Sequence, residues 1–245
     1  MITRRHLLIT AGSGLLGVTV LNTVTGCSPS PAPTDPASPT GGANPTGAGG
    51  GGDWKRVDLS FVSAYLLIRG DEAAVVDLGT EGSADAIGSA LQAAGSGWGA
   101  VRHVLLTHQH PDHAGGLAGV APRVKAAIYA GAADVAGITS AQPLKPVKDG
   151  DEIFGLQIIG TPGHTAGHIS VFDPATGVLV AGDALRTTGG LVGPDPQYTA
   201  DTVQAAASVR KLATLRVKTI LPGHGDPLTS GAADALSTLA ASIKG

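Results

Sequence analysis

The stretch His108-Gln-His110-Pro-Asp112-His113 contains three histidines and one aspartate within six residues, and an apolar run precedes it. His108 and His110 are two residues apart, so in an extended segment their side chains leave on the same face and can bind one ion. The intervening proline ends the extended segment, and Asp112 and His113 then point in a new direction. The stretch therefore predicts two adjacent metal ions at one loop.

Three further candidate ligands follow apolar runs in the same way. They are His164, Asp183 and His224, after the runs 156–163, 177–182 and 217–223. Such β-branched-rich runs are typical of buried strands, so the candidate ligands collect at strand ends. Imidazole and carboxylate ligands without thiolate suit zinc, manganese or iron, and a carboxylate can bridge two ions. We expect a binuclear centre with two zinc ions, manganese or iron being the alternatives.

Residues 1–27 have the pattern of an export signal. Arg4-Arg5 resembles a twin-arginine signal, and the apolar stretch 7–21 that follows is too short and too rich in glycine and threonine for a membrane span. Cys27, the only cysteine, stands where a bacterial lipobox places the residue that becomes lipidated. The sequence predicts an extracytoplasmic protein that is lipid-anchored to the membrane at Cys27. General secretion stays open as the export route.

Residues 28–53 are proline, serine, threonine and glycine without an apolar period, which predicts a disordered linker. Residues 54–245 are enough for one catalytic domain with a sizeable core. The net charge is −3, and residues 28–245 contain no run of more than two consecutive lysines or arginines. This composition argues against nucleic acid as the partner, since phosphate binding needs concentrated positive charge. The oligomeric state is left open.

Strand and helix patterns succeed one another twice along residues 54–245. The expected strands are 62–69, 73–78, 101–107, 126–129, 152–160, 168–172, 178–181 and 218–221, and the expected helices are 82–94, 199–215 and segments that begin near 112, 132 and 230. Two β-rich halves with helices outside them predict an α/β sandwich of two sheets covered by helices.

Five pieces of the sequence, taken in order, carry a family resemblance. They are Asp77 in VVDLG, the HQHPDH stretch, His164 in TPGHTAGH, Asp183 in AGD and His224 in PGHGDP. Over residues 54–227 the chain resembles the metallo-β-lactamase superfamily, and within it the glyoxalase II-like hydrolases. The resemblance implies a four-layer αββα sandwich with the site at one edge of the two sheets.

The resemblance also implies roles for single residues. The first metal would be bound by His108, His110 and His164, the second by Asp112, His113 and His224, and Asp183 would bridge the two. Asp77 would fix the ligand loop from behind without binding metal. His168 is expected to support the ligands or the fold. His103 has no motif around it and is expected to be an ordinary polar residue at a strand.

Two close metals can lower the pKa of a shared water, so the expected reaction is attack of metal-bridged hydroxide on a carbonyl carbon. Asp112 would orient the hydroxide and carry its proton to the leaving atom. The Gly/Pro-rich segment 185–199 contains two candidates for substrate contact, Arg186 and Tyr198. An ordinary surface loop is the equal alternative for that segment.

The substrate class is narrowed by departures from known subfamilies. Glutathione-dependent glyoxalase II enzymes carry a helical C-terminal extension, whereas the residues after His224 have room for one helix. Lactonases of the superfamily place a tyrosine shortly after the bridging aspartate, where this chain has Arg186. β-Lactamases depart from the Asp112 and Asp183 pattern, and ribonucleases need an extra domain and basic grooves. We expect a small ester, thioester, lactone or related carbonyl substrate.

Two other function classes remain. Di-iron redox proteins share this scaffold, but they usually have an acidic residue where His110 stands and a fused flavin domain. A non-catalytic envelope lipoprotein that binds metal or a ligand would have no use for the proton carrier predicted at Asp112. Metal identity and ester turnover distinguish these classes from the hydrolase.

Overall fold

The structure, a computed structural model, describes residues 52–244. The predicted signal 1–27 with Cys27 and the linker up to residue 51 lie outside the described residues. Asp53, the last residue of the predicted linker, begins the first strand and pairs with Ile68. Among the described helices, none has the length and apolar character that crossing a membrane requires.

The first sheet has six strands in the order of the sequence. They are β1 (Asp53–Asp58), β2 (Ser63–Arg69), β3 (Glu72–Val76), β4 (Val101–Leu106), β5 (Ala127–Gly131) and β6 (Leu144–Val147). The first three strands are antiparallel neighbours, and β3 to β6 run parallel. Because β3 and β4 are parallel, the residues that follow them emerge at the same edge of the sheet.

The second sheet has five strands, and a small hairpin lies outside both sheets. The sheet strands are β7 (Glu152–Ile153), β8 (Leu156–Gly160), β9 (Ile169–Asp173), β10 (Val178–Gly182) and β13 (Thr219–Pro222), and the hairpin is β11 (Arg186–Thr187) with β12 (Leu191–Val192). Strand β13 lies at one edge of the sheet and runs parallel to its neighbour β10. The other pairs in the sheet are antiparallel. The carboxyl ends of β10 and β13 therefore meet at one edge.

Five α-helices occur in the described chain, together with short 3₁₀ turns at 98–100, 121–123, 135–137 and 196–198. The helices are α1 (Ala84–Ala93), α2 (Pro111–Ala114), α3 (Leu117–Val120), α4 (Thr202–Leu212) and α5 (Ala232–Ser242). Helix α4 begins at Asp201, whose side chain accepts a hydrogen bond from the Gln204 backbone N–H at 2.9 Å. This bond satisfies one of the free N–H groups at the start of the helix.

Three apolar layers hold the elements together. One packs α1 and α3 on the outer face of the first sheet, with Ile87 and Leu91 against the strands. A second fills the space between the sheets, with Leu105 and Val171 among its buried members. A third packs α4 and α5 on the second sheet, with Val209 in its centre. These layers form the predicted four-layer αββα sandwich, in an α/β fold.

Some sequence-based boundaries are wrong. The predicted strand 152–160 is a tight hairpin of β7 and β8, because Phe154 and Gly155 both adopt positive φ angles, 56° and 72°. The helix predicted from Ala132 is only the 3₁₀ turn at 135–137. The helix predicted over 199–215 is shorter, at Thr202–Leu212. Strands β1 and β6 were not predicted, since β6 carries only one buried residue to mark it.

Candidate metal centre

The seven predicted ligands come together at one edge of the sandwich. His108, His110, Asp112 and His113 follow β4, and the other three follow β8, β10 and β13: His164, Asp183 and His224. Each stands on the connection that leaves a strand at the same edge. The sheet topology therefore brings together ligands that are more than one hundred residues apart in the chain.

The first cluster consists of three histidine rings whose nitrogen atoms converge. His108 Nε2 and His164 Nε2 each lie 3.0 Å from His110 Nδ1. His108 and His164 are buried and His110 is half-buried. These three nitrogens are close enough together to bind a single ion.

The second cluster contains His113, His224 and Asp112. His113 Nε2 lies 3.4 Å from His224 Nε2, and Asp112 Oδ2 lies 3.3 Å from that same His224 nitrogen. Asp183 stands between the clusters. Its Oδ1 is 3.1 Å from His113 Nε2, and its Oδ2 is 3.4 Å from His164 Nε2. One carboxylate thus faces both groups, as a bridging ligand would.

The donor atoms fit two metal ions. Nitrogen ligands about 2.0–2.1 Å from a tetrahedral zinc ion lie roughly 3.3 Å from one another, and the facing ring nitrogens here are 3.0–3.4 Å apart. Asp183 Oδ1 is buried and has no hydrogen bond of good geometry with the described residues, although His113 Nε2 lies 3.1 Å from it. A buried carboxylate oxygen without a hydrogen bond is costly unless a cation accepts its lone pair.

The outer ring nitrogens of the second-cluster histidines are held by acceptors. His113 Nδ1 donates to Asp77 Oδ2 at 2.8 Å, and His224 Nδ1 donates to the Phe61 carbonyl at 2.7 Å. Both acceptors lack hydrogens, so the Nδ1 atoms must donate. Each bond therefore leaves Nε2 turned to the centre, which is how proteins orient histidine ligands of a metal.

Asp77 joins two strand ends behind the centre. Its Oδ1 accepts from the Thr107 backbone N–H at 2.7 Å, and its Oδ2 accepts from the Thr107 hydroxyl at 2.8 Å. The Thr107 oxygen also lies 3.0 Å from His108 Nδ1. Asp77 has a φ of 60°, which residues other than glycine rarely adopt. These bonds hold the strained backbone and fix the loop, the position predicted for Asp77.

His168 lies directly behind Asp183 and belongs to neither cluster. Its Nε2 accepts a hydrogen bond from the Asp183 backbone N–H at 3.0 Å, and its Nδ1 is 2.8 Å from Thr161 Oγ1. Burial lowers the pKa of His168 to about 3, so the ring is neutral at pH 7. His168 positions the backbone of the central carboxylate.

The two clusters differ in their protonation before metal binds. Burial lowers the pKa of His108 well below its usual value and that of His164 to about 4, so both rings are neutral at pH 7. Burial also lowers the pKa of His113, but two adjacent carboxylates outweigh it and hold the pKa well above its usual value. Hydrogen bonds to carboxylates raise the pKa of His224 to about 10.

A pocket of about 380 Å³ opens onto the centre. Its walls include five of the seven candidate ligands, all except His108 and His113, together with Phe61, Pro111 and Tyr198, and no lysine or arginine of the described chain lines it. Phe61 and Tyr198 are 59% and 62% exposed, which is unusual for large apolar side chains. Phe61 also stacks on His224, with the ring planes 10° apart.

The two candidates for substrate contact occupy different places. Tyr198 lines the pocket. Arg186 does not, because its guanidinium pairs with Asp195 at 3.0 Å and donates to the Gly193 carbonyl at 3.2 Å. Arg186 braces the loop that carries Tyr198. His103 also lies away from the centre, against Tyr129 and Phe154 at the amino end of β4.

Sequence reasoning missed three residues that act on the centre. Phe61 and Thr107 contact ligand histidines, and Asp134 binds the loops that carry them. None stands in a motif, and all three act through tertiary contacts. The one sequence signal for any of the three is that Thr107 ends the apolar run directly before His108.

Known proteins share this sequence pattern. The sequence model of the metallo-beta-lactamase superfamily matches residues 57–224. The probable metallo-hydrolase YflN of Bacillus subtilis (strain 168) is 30% identical over 202 residues, covering 63% of this chain and 76% of that protein. The hydroxyacylglutathione hydrolase of Dechloromonas aromatica (strain RCB) is 33% identical over 144 residues, covering 54% of this chain and 49% of that protein. The chain thus spans about half the length of that enzyme.

The fold also occurs among solved structures. A protein whose structure was determined in a di-iron-bound form superposes with a TM-score of 0.59 at 26% identity, over 75% of this chain and 93% of that one. The family match extends from β1 to the last of the seven clustered residues, His224. The chain belongs to the metallo-beta-lactamase superfamily.

Proposed function

We propose that the protein is a binuclear zinc-dependent hydrolase that cleaves a small ester, thioester, lactone or related carbonyl compound. The observation that carries this proposal is the convergence of seven nitrogen and carboxylate donors, in two clusters joined by Asp183, at the floor of an open pocket. Relatives named as a probable metallo-hydrolase and as a hydroxyacylglutathione hydrolase support the reaction class.

One zinc ion would be held by His108, His110 and His164, and the other by Asp112, His113 and His224, with Asp183 between them. When bound, the two ions supply an activated water at neutral pH and polarise the carbonyl oxygen of the substrate. The protein needs no serine or cysteine nucleophile for this chemistry.

Asp112 is the proposed proton carrier. It lines the pocket, its side chain is 28% exposed, and its Oδ2 is 3.3 Å from His224 Nε2. Burial raises the pKa of Asp112, but the hydrogen bond from His224 and the charge of His113 outweigh it and leave the pKa below its usual value. The carboxylate is ionised at pH 7, so it can accept a proton from the attacking water and pass it to the leaving group.

The pocket walls favour an uncharged substrate with an apolar part. Phe61 and Tyr198 present exposed rings beside the centre, where they can cover an acyl or aryl group. The described residues that line the pocket include no lysine or arginine for an anionic group. We infer that the two rings would bind the apolar part of the substrate and leave its carbonyl group facing the metal ions.

A di-iron redox protein is the second candidate. The observation in its favour is the di-iron-bound structure that shares this fold at 26% identity. Imidazole and carboxylate donors bind iron as well as zinc. A non-catalytic metal-binding lipoprotein is the third candidate. Turnover of any carbonyl substrate would exclude it.

The proposed location of the protein rests on the sequence pattern alone. We propose export across the membrane and lipid anchoring at Cys27, with residues 28–53 as the spacer and the twin-arginine route as the export path. Replacing Cys27 by serine should then shift the protein from the detergent phase to the aqueous phase of a partition assay. Equal partition of the two proteins would contradict the anchor.

The reaction is tested by metal analysis and by a panel of neutral lactones, thioesters, aryl esters and β-lactams, with Asp112→Asn as the matched variant. We expect about two zinc ions per chain, turnover of one class, and a kcat lower by roughly 10²-fold or more in the variant, since proton carriers contribute about that much. Two irons without hydrolysis would favour the redox protein. Full activity of a metal-loaded Asp112→Asn variant would exclude the proton-carrier role.

Metal binding should release protons mainly from the second cluster. His224, with a pKa of about 10, and His113, with a raised pKa, must each lose a proton before Nε2 can bind metal at pH 7, whereas His108 and His164 are already neutral. Zinc affinity at the second cluster should therefore rise with pH between 6 and 9. Calorimetry in two buffers of different protonation enthalpy measures the protons released. Binding of both ions without proton release would contradict the assignment.

The pocket rings are tested by Tyr198→Ala, with Val203→Ala as the matched control. Val203 is 64% exposed and lies outside the lining of the pocket. We expect the variant to raise KM for an aryl ester by about 2- to 12-fold, since a stacked ring contributes about 0.5–1.5 kcal/mol, and to leave KM for an acetyl ester nearly unchanged. An unaltered KM for both esters would place the substrate elsewhere.

A further inference from the structure

Asp134 is a buried carboxylate that the metal clusters do not include. It is 1% exposed, and it lies in the turn between β5 and the 3₁₀ turn 135–137. Its side chain makes no capping bond to that turn. It accepts instead from the Gln109 backbone N–H at 3.1 Å, the Thr165 hydroxyl at 2.6 Å and the Gly167 backbone N–H at 2.7 Å.

The donors of these bonds are all next to residues of the centre in the chain. Two of them are next to histidines of the first cluster, and Gly167 precedes His168, which holds the backbone of Asp183. Gln109 stands between His108 and His110, and Thr165 follows His164 directly. The three first-cluster histidines therefore sit on two loops that share one acceptor. Burying a carboxyl group is costly, and the three hydrogen-bonding partners of Asp134 carry no charge that would offset this cost. The hydrogen bonds fix the spacing of the two loops and offset part of the free energy lost when the carboxyl group is buried.

Close packing adds to the hydrogen bonds around Asp134. A Cβ on Gly131 would come within 1.8 Å of the Gly167 carbonyl, and a Cβ on Gly167 would come within 2.4 Å of the Asp134 backbone nitrogen. A Cβ on Gly137 would meet the Gln109 side-chain oxygen at 1.6 Å. Glycine is the residue that permits such approach of two backbones. The turn 131–137 is therefore seated against both ligand loops.

The contacts of Asp134 are confined to one side of the centre. The second cluster is braced by other groups, with His113 held by Asp77 and His224 by the Phe61 carbonyl. Asp134 touches neither. We propose that Asp134 is a positioning residue for the first metal ion, holding the His108–His110 loop and the His164 loop at the spacing that a single ion requires. This inference rests on the proposed metal centre.

Asp134→Asn is the direct test, because it keeps the size of the side chain. An asparagine can offer one oxygen to Gln109 and Thr165, but its amide nitrogen then faces the Gly167 N–H, and two donors oppose each other. Thr165→Val removes a single hydrogen bond without a change of shape. Asp149→Asn is the control, since Asp149 is 57% exposed and pairs with Lys211 at the surface.

The full-length chain is stripped of metal and titrated with Co²⁺, whose visible absorption reports the ligand set of each site. We expect wild-type protein and the Asp149→Asn control to bind two ions. Asp134→Asn should weaken the first site by about 10- to 100-fold, the usual effect of losing an outer partner of a metal site, with the second site changed less than about 3-fold. Its spectrum with one ion bound should match that of His110→Ala, which lacks a first-site ligand.

Thr165→Val should also weaken Co²⁺ binding selectively at the first site, but by a smaller factor. It keeps the test informative if Asp134→Asn does not fold. Equal weakening of both sites, or two unchanged affinities, would overturn the role of Asp134. Failure of the wild-type chain to bind two ions would instead contradict the proposed function, so the two failures are distinct.

Discussion

The convergence of buried donor atoms is the constraint on which the rest of the site depends. Five imidazoles and two carboxylates meet at 3.0–3.7 Å, and one carboxylate oxygen of Asp183 has no hydrogen bond within the described chain. Such a group is stable only if cations neutralise it or protons remain on its rings. The adjacent carboxylates raise the pKa of His113 and of His224, which favours protonated rings at the second cluster when no metal is bound. Metal binding and deprotonation are therefore one process at this site.

Support for the ligands comes from groups that are themselves fixed. Asp77 adopts a strained backbone angle and orients His113, His168 holds the backbone of Asp183, and Asp134 ties the loops of the first cluster. Each of these side chains is buried, so each has one arrangement of hydrogen bonds. The two sheets supply the rigidity, since the layers on both faces leave no space for the strand ends to move apart. Precise ligand placement thus follows from the packing of the whole sandwich.

The walls of the pocket differ from its floor in polarity. The floor of the pocket consists of polar candidate ligands whose positions the strand ends fix. Phe61 and Tyr198 are exposed on the loops that connect β1 to β2 and β12 to α4. Loops on a rigid scaffold commonly carry the specificity of an enzyme. Family membership accordingly supports the proposed reaction class, and we propose that the choice of substrate depends on these two loops. Phe61 contributes to both, because its carbonyl orients His224 and its ring forms a wall of the pocket.

The sequence by itself predicted the seven donor residues that come together at the centre, the order of most strands and the layered fold, because short motifs and apolar periods are local properties. It placed Asp77 and His168 close behind the centre through their positions in those motifs. Tertiary structure alone decided that Arg186 is paired with Asp195 and faces away from the pocket, since both charges lie in one loop whose path no period reveals. It also decided the roles of Asp134 and Phe61. Their partners are 25 to 163 residues away in the chain, and only the packing of two sheets brings such distant groups within hydrogen-bonding distance.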